Sequence, residues 1–187
     1  MSIAIVYFSA TGTTKSLAEA IAKGAGPEAV LLPITGKQIV EGRFTDEALL
    51  AQLTAADAIL FGTPTFMGGP AGQFKTFADA TGGIWYHQSW AGKIAGGFTT
   101  SGSFSGDKQG TLQYLVTLSQ QHGMIWVGQN SPNGLYSGKP LDVALNRLGS
   151  YTGVMGQAAP GQPLTAGDLA TGEAYGARIA ALAKKLK

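Results

Sequence analysis

The sequence predicts a doubly wound α/β fold: a five-stranded parallel sheet with helices on both faces. Three observations predict it. Short apolar runs alternate with segments of helical periodicity along most of the chain, the pattern of strands buried on both faces by crossover helices. The first apolar run passes through a hydroxyl-rich turn directly into a helix. Three of the runs end in loops of small, hydroxyl-bearing or glycine residues, which in such a fold project to one rim.

The elements follow in order. Ile3–Phe8 is unbroken apolar, β-branched and aromatic sequence and reads as a buried strand. From Lys15 to Ala22, the residues Leu17, Ala18, Ile21 and Ala22 fall on one helical face. Glu28–Ile34 is the second strand, followed by a polar stretch with Gly36, Gly42 and Arg43. Thr45-Asp46-Glu47 starts a short helix through Leu53. Ala58–Gly62 is the third strand, running into Thr63-Pro64-Thr65, and Ala71–Ala80 is a helix with Phe74, Phe77 and Ala78 inward. Lys93–Phe98 is the fourth strand, ending in Thr99-Thr100-Ser101-Gly102-Ser103. Asp107–Gln121 is a helix with Leu112, Leu115, Val116 and Leu118 spaced for burial, and Met124–Val127 is the fifth strand. Residues 128–162 are rich in Gly, Pro, Asn and Ser, and their length points to an insertion with a functional or oligomeric use. Thr165–Leu186 closes the chain as a helix packed through Ala170, Ala174, Ala177, Ile179 and Leu182. With no repeat and no linker, the 187 residues read as one domain.

Composition excludes several classes of function. At 44% hydrophobic and 13% charged residues, the chain is globular rather than disordered. A net charge of +2, with its one cluster at Lys184, Lys185 and Lys187 complementing a helix dipole, gives a nucleic-acid role little support. The absence of cysteine excludes disulfides, thiol nucleophiles and Cys-ligated metals. His87 and His122, distant in sequence, do not suggest a metal centre. No apolar run reaches the ~18 residues of a membrane span. The apolar N-terminus lacks the basic flank and cleavage pattern of a signal peptide, so the expected compartment is the cytoplasm.

Ser9-Ala10-Thr11-Gly12-Thr13-Thr14, between a strand and a helix N-terminus, has the makings of a phosphate cradle. The hydroxyls of Ser9, Thr11, Thr13 and Thr14 can bond phosphate oxygens, and Gly12 allows close approach. Neither a Walker loop nor a G-x-G-x-x-G fingerprint is present. Taken alone, the segment reads equally well as a helix cap without a ligand. The convergence of residues 9–14, 63–69 and 99–106 on one rim favours the ligand site. Loops two and three are poor in charge, which suits a flat uncharged ring joined to the phosphate.

The motif Ser-x-Thr-Gly-x-Thr at Ser9–Thr14 resembles the FMN phosphate loop of flavodoxins. Further along, the chain is similar to the WrbA type of NAD(P)H:quinone oxidoreductase. The likeness runs through Phe61-Gly62-Thr63-Pro64-Thr65, Gly72–Phe77, Thr81-Gly82-Gly83-Ile84-Trp85, Gly92-Lys93, Thr100-Ser101-Gly102-Ser103, His122-Gly123-Met124 and Ser150-Tyr151-Thr152-Gly153. The resemblance implies a flavodoxin-like sheet of strand order 2-1-3-4-5, FMN as cofactor, NADH or NADPH as donor, and a quinone or other small acceptor. It implies phosphate contacts from Ser9, Thr11, Gly12, Thr13 and Thr14. Ring contacts come from Pro64, Thr65, Phe66, Met67 and Gly68, and from Thr100, Ser101, Gly102 and Ser103. His122 is implied to face the cofactor and Trp85 to wall the substrate pocket. A homo-oligomer, a tetramer whose pocket a neighbour completes, is implied as well. The chain departs from the family in Phe66-Met67-Gly68, where Arg-Phe-Gly is usual, in Gln121 before His122, where a second histidine is usual, and in Gly128–Ser131, which lacks the expected proline and tyrosine.

Several residues carry a plainer reading beside the functional one. His122, near a helix C-terminus, can stabilise that end by ~0.3–1 kcal/mol. His87 reads as a surface residue. Trp85, Tyr86 and Trp90 read either as a self-packed loop or oligomer contact, or as a stack for an aromatic substrate. Phe66 and Phe104 are loop aromatics able to cover a ring, and Met67 reads equally as filler. The rival functions are a one-electron carrier of flavodoxin type, for which a charge of +2 is unusual, and a binding module without flavin.

Overall fold

Strand β1 (Ile3–Phe8) lies at the centre of the sheet, paired in parallel with β2 (Ala29–Ile34) on one side and β3 (Ala58–Phe66) on the other. The computed structural model describes residues 1–186; Lys187, one of the lysines read above as complementing the closing helix, lies outside the described residues. β4 (Ile94–Ser101) pairs in parallel with β3, giving the order β2-β1-β3-β4. The outer edge of β4 is shared by two pieces. β5 (Ile125–Trp126) pairs with Ile94 and Ala95, and β6 (Val154–Gln157) pairs with Phe98 to Ser101. The expected fifth strand is therefore present in two halves, and the chain leaves the sheet between them. The order 2-1-3-4-5 holds, but Val154–Gln157 falls inside the stretch expected to be wholly irregular.

Helices α1 (Thr13–Ala25) and α6 (Ala166–Lys185) cover one face of the sheet, with Leu17, Ile21, Tyr175 and Ile179 packed against Ile3, Ile5, Leu60 and Phe98. α2 (Glu47–Ala55), α3 (Gly72–Ala80) and α5 (Lys108–Gln121) cover the other. There Leu53, Phe74, Phe77, Leu112 and Leu115 meet Val6, Ile59 and Phe61. Several small elements escape the periodicity reading: α4 (Gly82–Tyr86), 3-10 turns at Gly36–Gln38 and Gly134–Ser137, and a two-stranded hairpin of Ile39–Val40 with Arg43–Phe44. The hairpin sets Phe44 edge-on against Phe77, 5.5 Å between centroids.

The closing helix packs through Ile179 and Leu182 as expected, but its contact face is centred elsewhere: Ala177 is exposed, while Gly172, Tyr175 and Gly176 are buried. The reason is close helix approach. A Cβ built on Gly176 would lie 2.0 Å from the Ile21 carbonyl oxygen, and one on Gly24 would lie 1.8 Å from that of Glu173. Tyr175 then reaches into the sheet, its hydroxyl donating to the Val127 carbonyl at 2.5 Å and accepting from the Gly97 N–H at 3.2 Å. Gly176→Ala should force α1 and α6 apart and cost about 1–3 kcal/mol in urea denaturation. Ala177→Ser on the exposed side should change stability by less than about 0.5 kcal/mol.

Candidate cofactor site

Three connections meet at the carboxyl rim of the sheet, though not as three loops. The first is a true loop. Gly12, at φ 96°, is the N-cap of α1 and supplies no capping side chain. The Ser9 hydroxyl oxygen accepts from the N–H groups of Gly12 (3.2 Å) and Lys15 (3.1 Å), folding the segment round itself. Among the described residues, the N–H groups of Thr11, Thr13 and Thr14 meet no acceptor. Free donors at the positive end of a 13-residue helix form an anion site.

The second connection is strand where loop was expected. β3 continues to Phe66 and turns through Met67 and Gly68, at φ 50° and 79°, into a hairpin that pairs Thr65 with Pro70. Pro64 is tolerated in this strand because its partner is β4 alone, β1 having already ended. The third is likewise strand through Ser101, held by β6. Thr65 and Thr100 are thereby buried, and their hydroxyls serve the protein interior. Thr100 bonds Thr14 at 2.7 Å and Thr13 at 3.3 Å. Thr65 bonds Thr99 at 2.9 Å and Thr111 at 2.8 Å. The hydroxyl of Thr14 thus meets Thr100, not the open side of the loop, because it points inward from the first turn of α1.

A groove of about 680 Å³ joins these segments. Thr11, Gly12 and Thr13 line one end, Pro64, Phe66, Thr100, Ser101 and Gly102 its walls, and residues 158–164 its outer bank. Gly68 lies instead in a neighbouring cavity with Phe104 and Arg147, and Met67 at the hairpin tip is fully exposed, so it fills nothing. The outer bank was not among the expected site residues; Pro160 and Pro163 gave no chemical signal. The groove lining contains no ionisable side chain.

Lys108 is the residue that motif reading missed. Its side chain is fully buried at the start of α5, and its Nζ donates to the Ser101 hydroxyl (2.8 Å) and to the carbonyls of Ser103 (2.7 Å) and Phe104 (2.9 Å). Burial pulls its ammonium down to about 8. A signal was available: a lysine at the first position of a helix opposes the dipole and needs another reason to be there. Beyond it, Arg147 from the excursion forms a buried pair with Asp168, Nη2 to Oδ2 at 2.8 Å. Arg147 also donates to the Gln157 carbonyl at 2.9 Å, and the Gln157 amide donates to the Gly102 carbonyl at 3.0 Å.

His122 and Trp85 are not brought to this rim. α3 and α5 run back from it, so both residues lie at the amino ends of the strands. β4 alone, at 8 residues, separates the two rims by about 23 Å. His122 is buried, its ring 4.5 Å from that of Trp90. Trp90 is itself fully buried, donating to the Thr54 hydroxyl at 3.0 Å, and so belongs to the core rather than to an aromatic loop. Trp85 is 47% exposed and Tyr86 76%. His87 is exposed, as expected.

Sheet order, helix placement and the loop before α1 define a flavodoxin-like protein. Residues 1–134 match the family described as NADPH-dependent FMN reductase, and the chain belongs to that family. It is 41% identical to flavodoxin FldP of Pseudomonas aeruginosa, over 97% of this chain and 96% of that one. It is 33% identical to an NAD(P)H dehydrogenase (quinone) of Geobacter sulfurreducens, over 100% of this chain and 99% of that one. The solved flavodoxin, WrbA-like protein from Agrobacterium tumefaciens matches with a TM-score of 0.77 at 42% identity, covering 100% of this chain and 99% of that one.

The histidine carries a pH signature. The Thr81 hydroxyl donates to the Ala78 carbonyl at 2.7 Å, so it accepts the proton of His122 Nε2 at 2.9 Å. Nδ1 is then a buried lone pair with no partner among the described residues. Protonating it would bury an unpaired N–H, and burial accordingly lowers the imidazole below its ordinary value near 6.5. As pH falls through about 6.5, the unfolded chain takes up the proton first, and folding stability declines. His122→Gln keeps a donor for Thr81 without the titration. Thermal melts from pH 5 to 8 should show a shallower acid decline in this variant than in the wild type.

Proposed function

We propose that the chain is an FMN-dependent oxidoreductase that passes electrons from NADH or NADPH to a quinone or other small-molecule acceptor. The observation that carries the reading is the groove itself: free N–H donors at a helix N-terminus at one end, uncharged walls along the rest. These residues fit FMN. The N–H groups of Thr11, Thr13 and Thr14, with the Thr11 and Thr13 hydroxyls, would hold the phosphate dianion; Gly12 keeps the approach open. Pro64, Phe66, Ser101 and Gly102 would flank the ring, and Phe66, 48% exposed, can cover it and exclude water. When bound, FMN supplies the redox chemistry, accepting two electrons as hydride from the nicotinamide and passing them to the acceptor. The protein's part is position and electrostatics, which agrees with a groove free of acids and bases. The names of the relatives that are NAD(P)H dehydrogenases (quinone) support the donor and acceptor classes.

A second reading, a one-electron carrier, has the name of the Pseudomonas relative in its favour. A net charge of +2 suits docking on basic partners poorly. We place the protein in the cytoplasm as a single-domain homo-oligomer, a tetramer, in which Trp85 of one copy walls the site of another. Supporting this are the exposure of Trp85 and its position at the far rim. No helix of the described residues is long and apolar enough to cross a membrane.

Thr13→Glu sets a carboxylate against the phosphate and should weaken FMN at least about tenfold, ~1.4 kcal/mol, in a fluorescence titration; unchanged affinity would remove the loop assignment. Anaerobic addition of NADH or NADPH should bleach the bound flavin, and a quinone should restore it. A flavin that ignores both nicotinamides but halts at a one-electron stage with a chemical reductant would favour the carrier. Sedimentation should give a tetramer, and Trp85→Ala should raise the quinone KM by roughly 2- to 10-fold, the worth of an aromatic contact of ~0.5–1.5 kcal/mol, with FMN affinity unchanged.

A further inference from the structure

We propose that Lys108 is a positioning residue that organises the segment 101–107 from beneath and makes the groove favour reduced over oxidised FMN. The inference rests on FMN binding in this groove.

Three features converge on it. The ammonium is fully buried, yet all three of its acceptors are neutral oxygens of one short segment: the Ser101 hydroxyl and the Ser103 and Phe104 carbonyls, at 2.7 to 2.9 Å. The charges that act on it across space, Asp168 of α6 and Arg147 of the excursion, are already paired with each other at 2.8 Å and make no contact with it. The neighbouring Asp107 is exposed. A cation kept in such a place serves the segment that wraps it or whatever lies on the other side of that segment, and Ser101 and Gly102 are walls of the groove.

The geometry defines two effects. Drawing the carbonyls of Ser103 and Phe104 toward the ammonium turns the N–H groups of the same planar peptide units, those of Phe104 and Ser105, the opposite way. Neither of those N–H groups has an acceptor among the described residues, so both remain available as donors beside the cavity that adjoins the groove, which Phe104 and Ser105 line. Removing the lysine would leave carbonyl lone pairs free to rotate outward and replace donors by acceptors. The second effect is Coulombic. Two-electron reduction with uptake of one proton gives the ring a net negative charge that the oxidised ring lacks. A positive charge one residue layer behind the wall, in a medium of low dielectric, stabilises that form selectively. The cost of burying the ammonium agrees with its lowering to about 8, which still leaves it protonated at neutral pH.

The test compares affinities of full-length protein for oxidised and reduced FMN, by fluorescence titration and equilibration with redox dyes, in wild type, Lys108→Met and Lys108→Arg. Lys108→Met should lower the ratio of reduced to oxidised affinity about tenfold, equivalent to ~30 mV for a two-electron couple, with oxidised FMN bound within about threefold of wild type. Lys108→Arg should recover most of the ratio. A purely structural lysine would weaken both forms together, and that result, or an unchanged ratio, overturns the proposal. Should the methionine variant fail to fold, wild type decides alone. Between pH 7.5 and 10 the ratio should fall as the ammonium loses its proton. A flat ratio overturns the proposal. Wild type that binds no FMN in either state overturns the cofactor reading, and the proposal with it.

Discussion

The carboxyl rim hangs from the last three residues of β4. Thr99 bonds Thr65 and so ties the end of β3 to β4; Thr100 bonds Thr13 and Thr14 and ties in the first turn of α1; Ser101 receives the ammonium of Lys108 and anchors the segment beyond. Three consecutive hydroxyls thus bond three different elements. This works because the pleat sends successive side chains to opposite faces, Thr99 toward the α5 side and Thr100 toward the α1 side. Buried hydroxyls left unpaired would each cost about 1–3 kcal/mol, so each constrains its partner's position tightly. The helix N-terminus that offers donors to an anion is held by this constraint together with the Ser9 hydroxyl, which accepts from the Lys15 N–H.

The second half of β4 is paired on both edges, with β3 as far as Thr100 and with β6 through Ser101. Without Val154–Gln157 the strand would present an open edge beyond Ala95. The excursion between the halves of the fifth strand is therefore part of the site. Gln157 carries the connection onward, accepting from Arg147 and donating to the Gly102 carbonyl. The buried Arg147–Asp168 pair fixes where the returning chain meets α6, since breaking either partner would leave an uncompensated charge.

The sheet and the faces of α1, α3 and α5 were legible because each rests on large apolar side chains whose period survives in the sequence; the strand order came from the resemblance. What was not legible rests on small or polar residues. Gly172 and Gly176 pack α6 by having no side chain, which a search for apolar faces passes over. Thr63 to Phe66 and Thr99 to Ser101 look like loops by composition, yet they are strand because neighbouring hydroxyls satisfy one another. The loop between β1 and α1, proposed above to hold the phosphate, was picked out by its hydroxyls and its place in the chain. Lys108 and the bank at residues 158–164 were passed over: the first left only its position against the helix dipole as a signal, since it acts through a hydroxyl 7 residues away and carbonyls 4 and 5 away, and the second acts through shape. His122 and Trp85 were assigned to the pocket by resemblance alone, and a single chain holds them at the other rim.

That division bears on the chemistry. A site that moved protons with side chains would need an acid or base in the groove, and its lining holds neither. Its charges are kept behind the walls instead: Lys108 under residues 101–104, and Arg147 and Asp168 neutralising each other beyond. A wall of backbone donors and hydroxyls backed by a fixed cation does not distinguish one neutral planar ring from another strongly. It does distinguish a neutral ring from the same ring carrying negative charge, because the preorganised dipoles and the cation pay no reorganisation cost when that charge arrives. Selection among acceptors must then come from elsewhere, from what covers the open side of the groove. On one chain that side is bounded by Phe66, 48% exposed, and by the 158–164 bank, whose residues 159–163 are exposed, which leaves room there for the second copy proposed above.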